Sequence, residues 1–222
     1  MPAKPESTAR EEAAPYAGRV KYTEGAARSY QTRKPHKHRR EMRLIDRAFA
    51  LLPRSLRVLD VPCGGGRVTL HLAGKGHAMT SGDLSEAMLA ITRENIAAAG
   101  LNCPIERQDI EAFTYKDRAF DAVICFRLFH HFPSAEIRRR VVRELCRVAG
   151  RFVLLSYFST KSVTSVRRKL QAALGGKKSG KFPTPLSEVR GYFEEAGFEL
   201  VKDLAEMPII HTMHLAVFKR RA

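Results

Sequence analysis

Three aspartates, a run of glycines and two adjacent histidines are the groups in this sequence whose types and spacing could do chemistry. Asp60 closes the apolar run Val58-Leu59 and is followed by Val61-Pro62-Cys63-Gly64-Gly65-Gly66-Arg67. Asp83 sits in Gly82-Asp83-Leu84-Ser85-Glu86-Ala87-Met88-Leu89, and Asp109 in Gln108-Asp109-Ile110. His130 and His131 follow Phe120-Asp121-Ala122-Val123-Ile124-Cys125-Phe126-Arg127-Leu128-Phe129. Glycines in a turn bring bare backbone against a ligand. Carboxylates accept hydrogen bonds from ligand hydroxyls and amines, and a neutral imidazole takes up a proton near neutral pH.

These groups must be held by strands and helices. Residues 57–61 read as a short buried strand that Pro62 stops, because proline has no N–H to give the ladder. Val68 to Ala73 reads as a helix ending at Gly74. Strand, glycine turn and helix open a nucleotide-cofactor-binding α/β unit, although a plain strand-to-helix turn uses the same glycines. The dinucleotide spacing G-x-G-x-x-G fails, since the third position is Thr69.

Further along, strands are expected at 77–82, 104–108, 119–126 and 152–157. Helices are expected at 36–52, ended by Pro53; after the Ser85 cap to Ala99; after the Ser134 cap over 135–148, ended by Gly150; and from Thr184-Pro185 to Gly197. Strands at 198–204 and 212–219 close the chain. Alternating strands and helices imply a parallel sheet with right-handed crossovers. The last two strands have only a short link and must pair antiparallel. The fold class expected is α/β: a doubly wound, seven-stranded, mostly parallel sheet ending in an antiparallel hairpin.

The 222 residues, 44% of them hydrophobic, suffice for one domain of ordinary size. We expect a flexible basic arm over 1–35, with a turn of helix near Tyr22–Tyr30, and one domain over 36–222 that carries a basic insert at 158–185. No apolar run reaches the length of a membrane span, and residues 1–18 have no apolar signal core, so the default address is the cytoplasm. The cysteines at 63, 103, 125 and 146 lack C-x-x-C spacing; they read as small buried residues in a reducing compartment, and no metal site is expected.

The net charge is +16, and it is concentrated. Residues 1–43 carry 11 basic and 5 acidic side chains; residues 160–182 carry 7 basic and none acidic. Such blocks attract phosphates: nucleic acid, anionic lipid head groups or phosphorylated sugars.

The four motifs, in their order, resemble the class I S-adenosylmethionine-dependent methyltransferases over roughly residues 40–220. The resemblance implies a Rossmann-like methyltransferase fold, S-adenosylmethionine as cofactor, and a set of contacts. Asp83 would accept both ribose hydroxyls, and Leu84 and Met88 would flank the adenine. Asp109, with Ile110, would take the adenine amine. Pro62, Cys63, Gly64 and Gly66 would bring backbone to the methionine part, with Asp60 behind them. Cys125 and Arg127 follow in the fourth motif, and Arg127 could pair with the methionine carboxylate, with an acidic acceptor, or with water alone. Pro62 departs from the family, which has glycine there, so the turn must enter by another path.

Methyl transfer needs acceptor and methyl held in line, and a base only where a proton must leave. The expected base is His130 or His131, with Tyr157 at the end of the fifth strand as a second candidate, the alternative for it being a rim aromatic that packs on the acceptor; His211 and His214 read as structural. Cys125-Phe126-Arg127-Leu128 lacks the Asn/Asp-Pro-Pro-aromatic signature of amino-methylating nucleic-acid enzymes. It also lacks the proline-flanked cysteine of pyrimidine carbon-5 enzymes. The sequence therefore points to an enzyme methylating an anionic small molecule, a lipid or a phosphorylated glycan, with peripheral membrane contact allowed. The alternative is an RNA- or ribosome-directed methyltransferase, or an RNA-binding protein with a vestigial cofactor site. Few aromatics interleave the basic insert, which favours the first reading.

Overall fold

A computed structural model describes residues 35–160, 180–206 and 212–222. The expected helical turn near Tyr22–Tyr30, most of the basic insert and His211 lie outside the described residues.

In chain order the elements are α1 (Pro35–Phe49), β1 (Arg57–Asp60), α2 (Arg67–Ala73), β2 (Ala78–Asp83), α3 (Glu86–Ala98), β3 (Ile105–Arg107) and β4 (Phe120–Cys125). A short 3-10 turn (Phe129–His131) precedes α4 (Ala135–Val148), β5 (Ala149–Phe158), α5 (Leu186–Glu195), β6 (Phe198–Ala205) and β7 (Met213–Arg220). The seven strands form one sheet in the order β3-β2-β1-β4-β5-β7-β6. The first five are parallel, β7 runs antiparallel to β5, and β6 antiparallel to β7. This is the doubly wound, seven-stranded sheet with a terminal antiparallel hairpin that the alternation implied.

Both faces of the central strands are covered, which is why they read as continuous apolar runs. On one face Met42, Leu44, Ile45, Ala48 and Phe49 of α1 pack with Val58, Ile124, Leu154 and Leu215. On the other, Val141, Val142, Leu145 and Val148 of α4 and Phe193 of α5 pack with Val123, Val153 and Phe218. The Phe193 and Phe218 rings stack at 3.7 Å between centroids.

Local signals set most boundaries. Ser85 accepts from Met88 N at 3.4 Å and Ser134 from Ile137 N at 3.3 Å, so both helices start at a side-chain cap. Four details differ from expectation. Helix α1 stops at Phe49 and the chain turns before Pro53, leaving Leu51 45% exposed. Gly150 does not end α4: the helix closes at Val148, and Gly150 already lies in β5, where an added Cβ would come within 3.1 Å of Phe120 O. Thr184 does not cap α5; its hydroxyl donates to Phe182 O at 3.4 Å, and Pro185 takes the cap position. Cys103 is half-buried, whereas Cys63, Cys125 and Cys146 are buried free thiols. Among the described residues no helix is long and apolar enough to cross a membrane, and no group of three or more ligating side chains could hold a metal ion.

Candidate functional site

The glycine turn, Asp83, Asp109 and the loop after β4 all fall at the carboxyl ends of parallel strands, where sheets of this type present ligands. At the turn itself, Gly64 and Gly66 have φ of 55° and 75°, a region that side chains disfavour. An added Cβ at Gly66 would lie 3.1 Å from Thr92 Cγ2. The Val61–Pro62 peptide is cis, which is where the path into the turn departs from an all-trans chain. Helix α3 holds the turn from outside. Thr92 Oγ1 donates to Gly64 O at 2.5 Å and Asn95 Nδ2 to Gly65 O at 2.9 Å. Neither residue was singled out from the sequence; their signal is the polar pair at i and i+3 on an otherwise apolar helix face.

Asp83 is the last residue of β2 and 6% exposed. Its Oδ2 accepts from Gly64 N at 2.9 Å and its Oδ1 from Ser85 N at 3.0 Å. A carboxylate has about four acceptor directions, and the N–H groups of Gly64, Ser85 and Leu84 point at this one, which leaves it acceptor capacity for a ligand hydroxyl. Burial raises the Asp83 carboxyl above its ordinary value, opposed by these backbone N–H groups. Asp109 lies two residues beyond β3 and forms an Asx turn, accepting from Glu111 N at 3.0 Å. Leu84 is half-buried.

Asp60 is fully buried. Its Oδ2 accepts from Thr69 N at 3.1 Å and Thr69 Oγ1 at 2.8 Å, while Oδ1 is buried with no hydrogen-bond partner among the described residues. Burial pushes its carboxyl up to about 7, against the two bonds from Thr69. An unsatisfied buried oxygen beside bare glycine backbone fits a ligand that brings its own donors, so these residues suit a cofactor with an amine and a ribose.

The structure buries three of the residues expected near the cofactor. The Cys125 side chain is 0% exposed within the core on the α4 face. Met88 and Ile110 are likewise buried, at 1% and 7% exposure, and Met88 packs with Ile91. Cys63 is buried too, with Sγ 3.6 Å from Thr92 Oγ1, and burial pushes its thiol well up.

Arg127 takes φ 69°, donates its N–H to Ser156 Oγ and sends Nη1 to Glu41 Oε1 at 2.7 Å. Glu41, 1% exposed, also holds Arg67 Nη1 at 3.2 Å. Sequence reading missed Glu41, although it stands on the apolar stripe of α1 beside Met42 and Ile45. His130 is 1% exposed and stacks on Phe158 at 3.8 Å and 2°, with His131 at 4.3 Å. Lys181 Nζ lies 5.2 Å from the Phe158 ring, and Phe182 N donates to His130 O at 2.8 Å. Tyr157 is not a rim aromatic: it is 1% exposed, and its hydroxyl donates to Asp203 Oδ2 at 3.1 Å.

Comparison with known proteins places this geometry in context. Residues 58–150 match a family model described as a methyltransferase domain. A ubiquinone biosynthesis O-methyltransferase of Aromatoleum aromaticum is 30% identical over 167 residues, covering 70% of this chain and 68% of that one. One of the same description from Coxiella burnetii is 32% identical over 103 residues, and the match spans 46% of this chain but only 42% of that protein. Among solved structures, magnesium protoporphyrin IX methyltransferase from Synechocystis, with bound S-adenosylhomocysteine, superposes with a TM-score of 0.69 at 20% identity, over 82% of this chain and 84% of that one.

Proposed function

Because the chain belongs to the class I S-adenosylmethionine-dependent methyltransferases, we propose that it transfers a methyl group from S-adenosylmethionine to an oxygen of a small acceptor with apolar character. The observation that carries this is the set of ligand-facing groups gathered at one edge: positive-φ glycines, the remaining acceptor capacity of Asp83, and the unsatisfied Asp60 Oδ1.

When bound, S-adenosylmethionine supplies an electrophilic methyl on a sulfonium sulfur. Asp83 would accept the ribose hydroxyls, and Asp109 the adenine amine. Gly64 and Gly66 would admit the methionine part, with Asp60 accepting from its ammonium and Leu84 against the adenine. Pro62 and Cys63 would contribute backbone and shape rather than side-chain contacts. Arg127, paired with Glu41, would place its guanidinium charge at the same edge, toward either the methionine carboxylate or an acidic acceptor. His130, His131 and Phe158 form an aromatic wall against which a flat acceptor can pack.

Oxygen as the acceptor atom is supported by the ubiquinone biosynthesis O-methyltransferase relatives, whose name also implies a lipid-like product. An anionic character is supported by the basic block at 160–182. We further propose that residues 36–222 act as one methyltransferase domain and residues 158–185 as a basic lid over the acceptor, with 1–35 as an arm. The test is incubation with isotope-labelled methyl donor and, separately, 4-nitrocatechol, lipid extract and total RNA, read by mass spectrometry. Label in the phenol or in a lipid supports the reading; label in RNA alone overturns the small-acceptor part.

A further inference from the structure

Helix α1 has two faces of opposite character. Inward, Met42, Leu44, Ile45, Ala48 and Phe49 pack on the sheet. Outward, Arg39, Arg43 and Arg47 follow one another at i, i+4 and i+8, which puts them on one stripe about 12 Å long. All three are exposed, as is Lys37 in the first turn. The stripe continues onto the sheet. Arg47 Nη1 donates to Ala205 O at 3.2 Å, which lays the end of the stripe against β6. Lys202 of β6 is exposed and pairs with Val217, whose side chain packs on the α1 side, so Lys202 stands on that side too.

Neighbouring carboxylates do not cancel this charge. Glu206 is 3% exposed and lies 3.1 Å from Arg40. Asp46, on the flank of the helix, faces His71 and Lys75 at 2.6 and 3.2 Å. Glu199 stands opposite Lys219 across the ladder. Among the described residues, Lys37, Arg39, Arg43, Arg47 and Lys202 are left outside these pairs.

Aliphatic side chains flank the cations. Of the three large hydrophobic side chains exposed among the described residues, Leu51 comes four positions after Arg47, and Val201 is next to Lys202. At a bilayer surface, arginine and lysine stems lie along the interface with their charges among the head groups, and aliphatic side chains reach the acyl boundary. A single-stranded nucleic acid would instead need aromatic rings for its bases, and these positions carry none.

We propose that the outer face of α1, continued by Lys202, docks the protein on an anionic lipid bilayer. Glu41, on the inner side of the same helix, holds Arg67 and Arg127 at the candidate site. A docked bilayer therefore lies about one helix diameter, roughly 10–12 Å, from that edge. On the acceptor reading proposed above, a substrate with apolar character is then taken from the membrane rather than from water.

The test is sedimentation of the full chain with vesicles of phosphatidylcholine alone, or with phosphatidylglycerol added, at several salt concentrations. Binding to the anionic vesicles, weakened by salt, and none to the neutral ones is expected. A chain of charge +16 meets any anionic surface, so the variants decide. Arg39→Gln, Arg43→Gln and Lys202→Gln together should weaken vesicle binding on the order of 10²-fold, about fivefold for each cation near the surface. Leu51→Ser should weaken it at unchanged charge, and Arg39→Lys with Arg43→Lys should keep it. Turnover of the soluble acceptor 4-nitrocatechol, unchanged in every variant, reports that the fold is kept. Equal vesicle binding by the wild type and the triple variant would overturn the docking face. So would loss of binding on replacing Arg167, Arg168 and Lys169 instead. RNA binding that the triple variant abolishes, with no vesicle binding by the wild type, would overturn the lipid partner. Each of these results leaves the methyltransferase reading standing. Intact vesicle binding without methyl transfer to any acceptor would overturn that reading and leave the docking face.

Discussion

Glu41 and Arg127 form an ion pair at 2.7 Å although they are 86 positions apart in the chain. The other Glu41 oxygen holds Arg67, the residue that follows the glycine turn. One buried carboxylate therefore ties helix α1 to two loops of the candidate site. It also steadies Arg127 in a left-handed backbone conformation that costs a non-glycine residue about 1 kcal/mol or more.

Glu41→Gln is expected to destabilise the fold by roughly 1–3 kcal/mol, the range for losing bonds to a charged group when the partners remain in place. Partial exposure of both arginines lets water screen the remainder and keeps the loss below that of a fully buried pair. Urea unfolding reads this directly, and an unchanged midpoint would show that α1 docks by its apolar face alone.

Asp83→Ala should weaken S-adenosylhomocysteine binding by about 1.5–3 kcal/mol, and NAD should not bind the wild type at all. Because Asp83 also ties Gly64 N and Ser85 N, Asp83→Asn separates the ligand contact from the turn. Equal affinity in all three proteins, measured by calorimetry, would remove Asp83 from the site.

Asp60 makes stability depend on pH. Its carboxyl is raised by burial from 3.8 to about 7. Between those values the unfolded chain is ionised while the folded chain stays protonated, so the folded state binds more protons and stability falls as pH rises. The contribution is fully present below about pH 4 and lost by about pH 7, a change of at most about 4 kcal/mol. Asp60→Asn should flatten this part of the profile. Urea midpoints between pH 4 and 8 that fall equally in both proteins would assign the dependence elsewhere.

His130→Ala should cost stability on the order of 0.5–1.5 kcal/mol by removing the stack on Phe158. As parts of an aromatic wall against the acceptor, His130 and His131 should raise KM more than they lower kcat when replaced by alanine. A loss of about 10²-fold or more in kcat for either, with KM unchanged, would return the proton-accepting role to this loop.

Neutralising Arg167, Arg168 and Lys169 together should raise the acceptor KM and leave S-adenosylhomocysteine binding unchanged. A small acceptor offers few charges, so salt dependence should be mild. RNA binding would fall steeply and linearly in log affinity against log salt. Filter binding with total RNA at several salt concentrations distinguishes the two, and tight RNA binding abolished by the triple variant would overturn the small-acceptor reading.

The sequence by itself determined the features that depend on neighbours along the chain. Alternating apolar runs and capped helices specified the strand order class and the terminal hairpin. Gly64 and Gly66 marked a turn that only small residues accept, and Asp83, Ser85 and Ser134 were legible because strand ends and caps are encoded within a few residues. What only the tertiary structure decided are relations between distant segments. Cys125, Met88 and Ile110 stand in the motifs, and packing rather than sequence decides how far their side chains are buried. Tyr157 looks like a rim group, yet strand register turns it toward Asp203 and His214. Glu41 meets Arg67 and Arg127 because three separate elements converge where α1 crosses the sheet. Periodicity tells which face a residue occupies; which charges and hydroxyls then meet across that face depends on register and packing, and these are set by the whole chain at once.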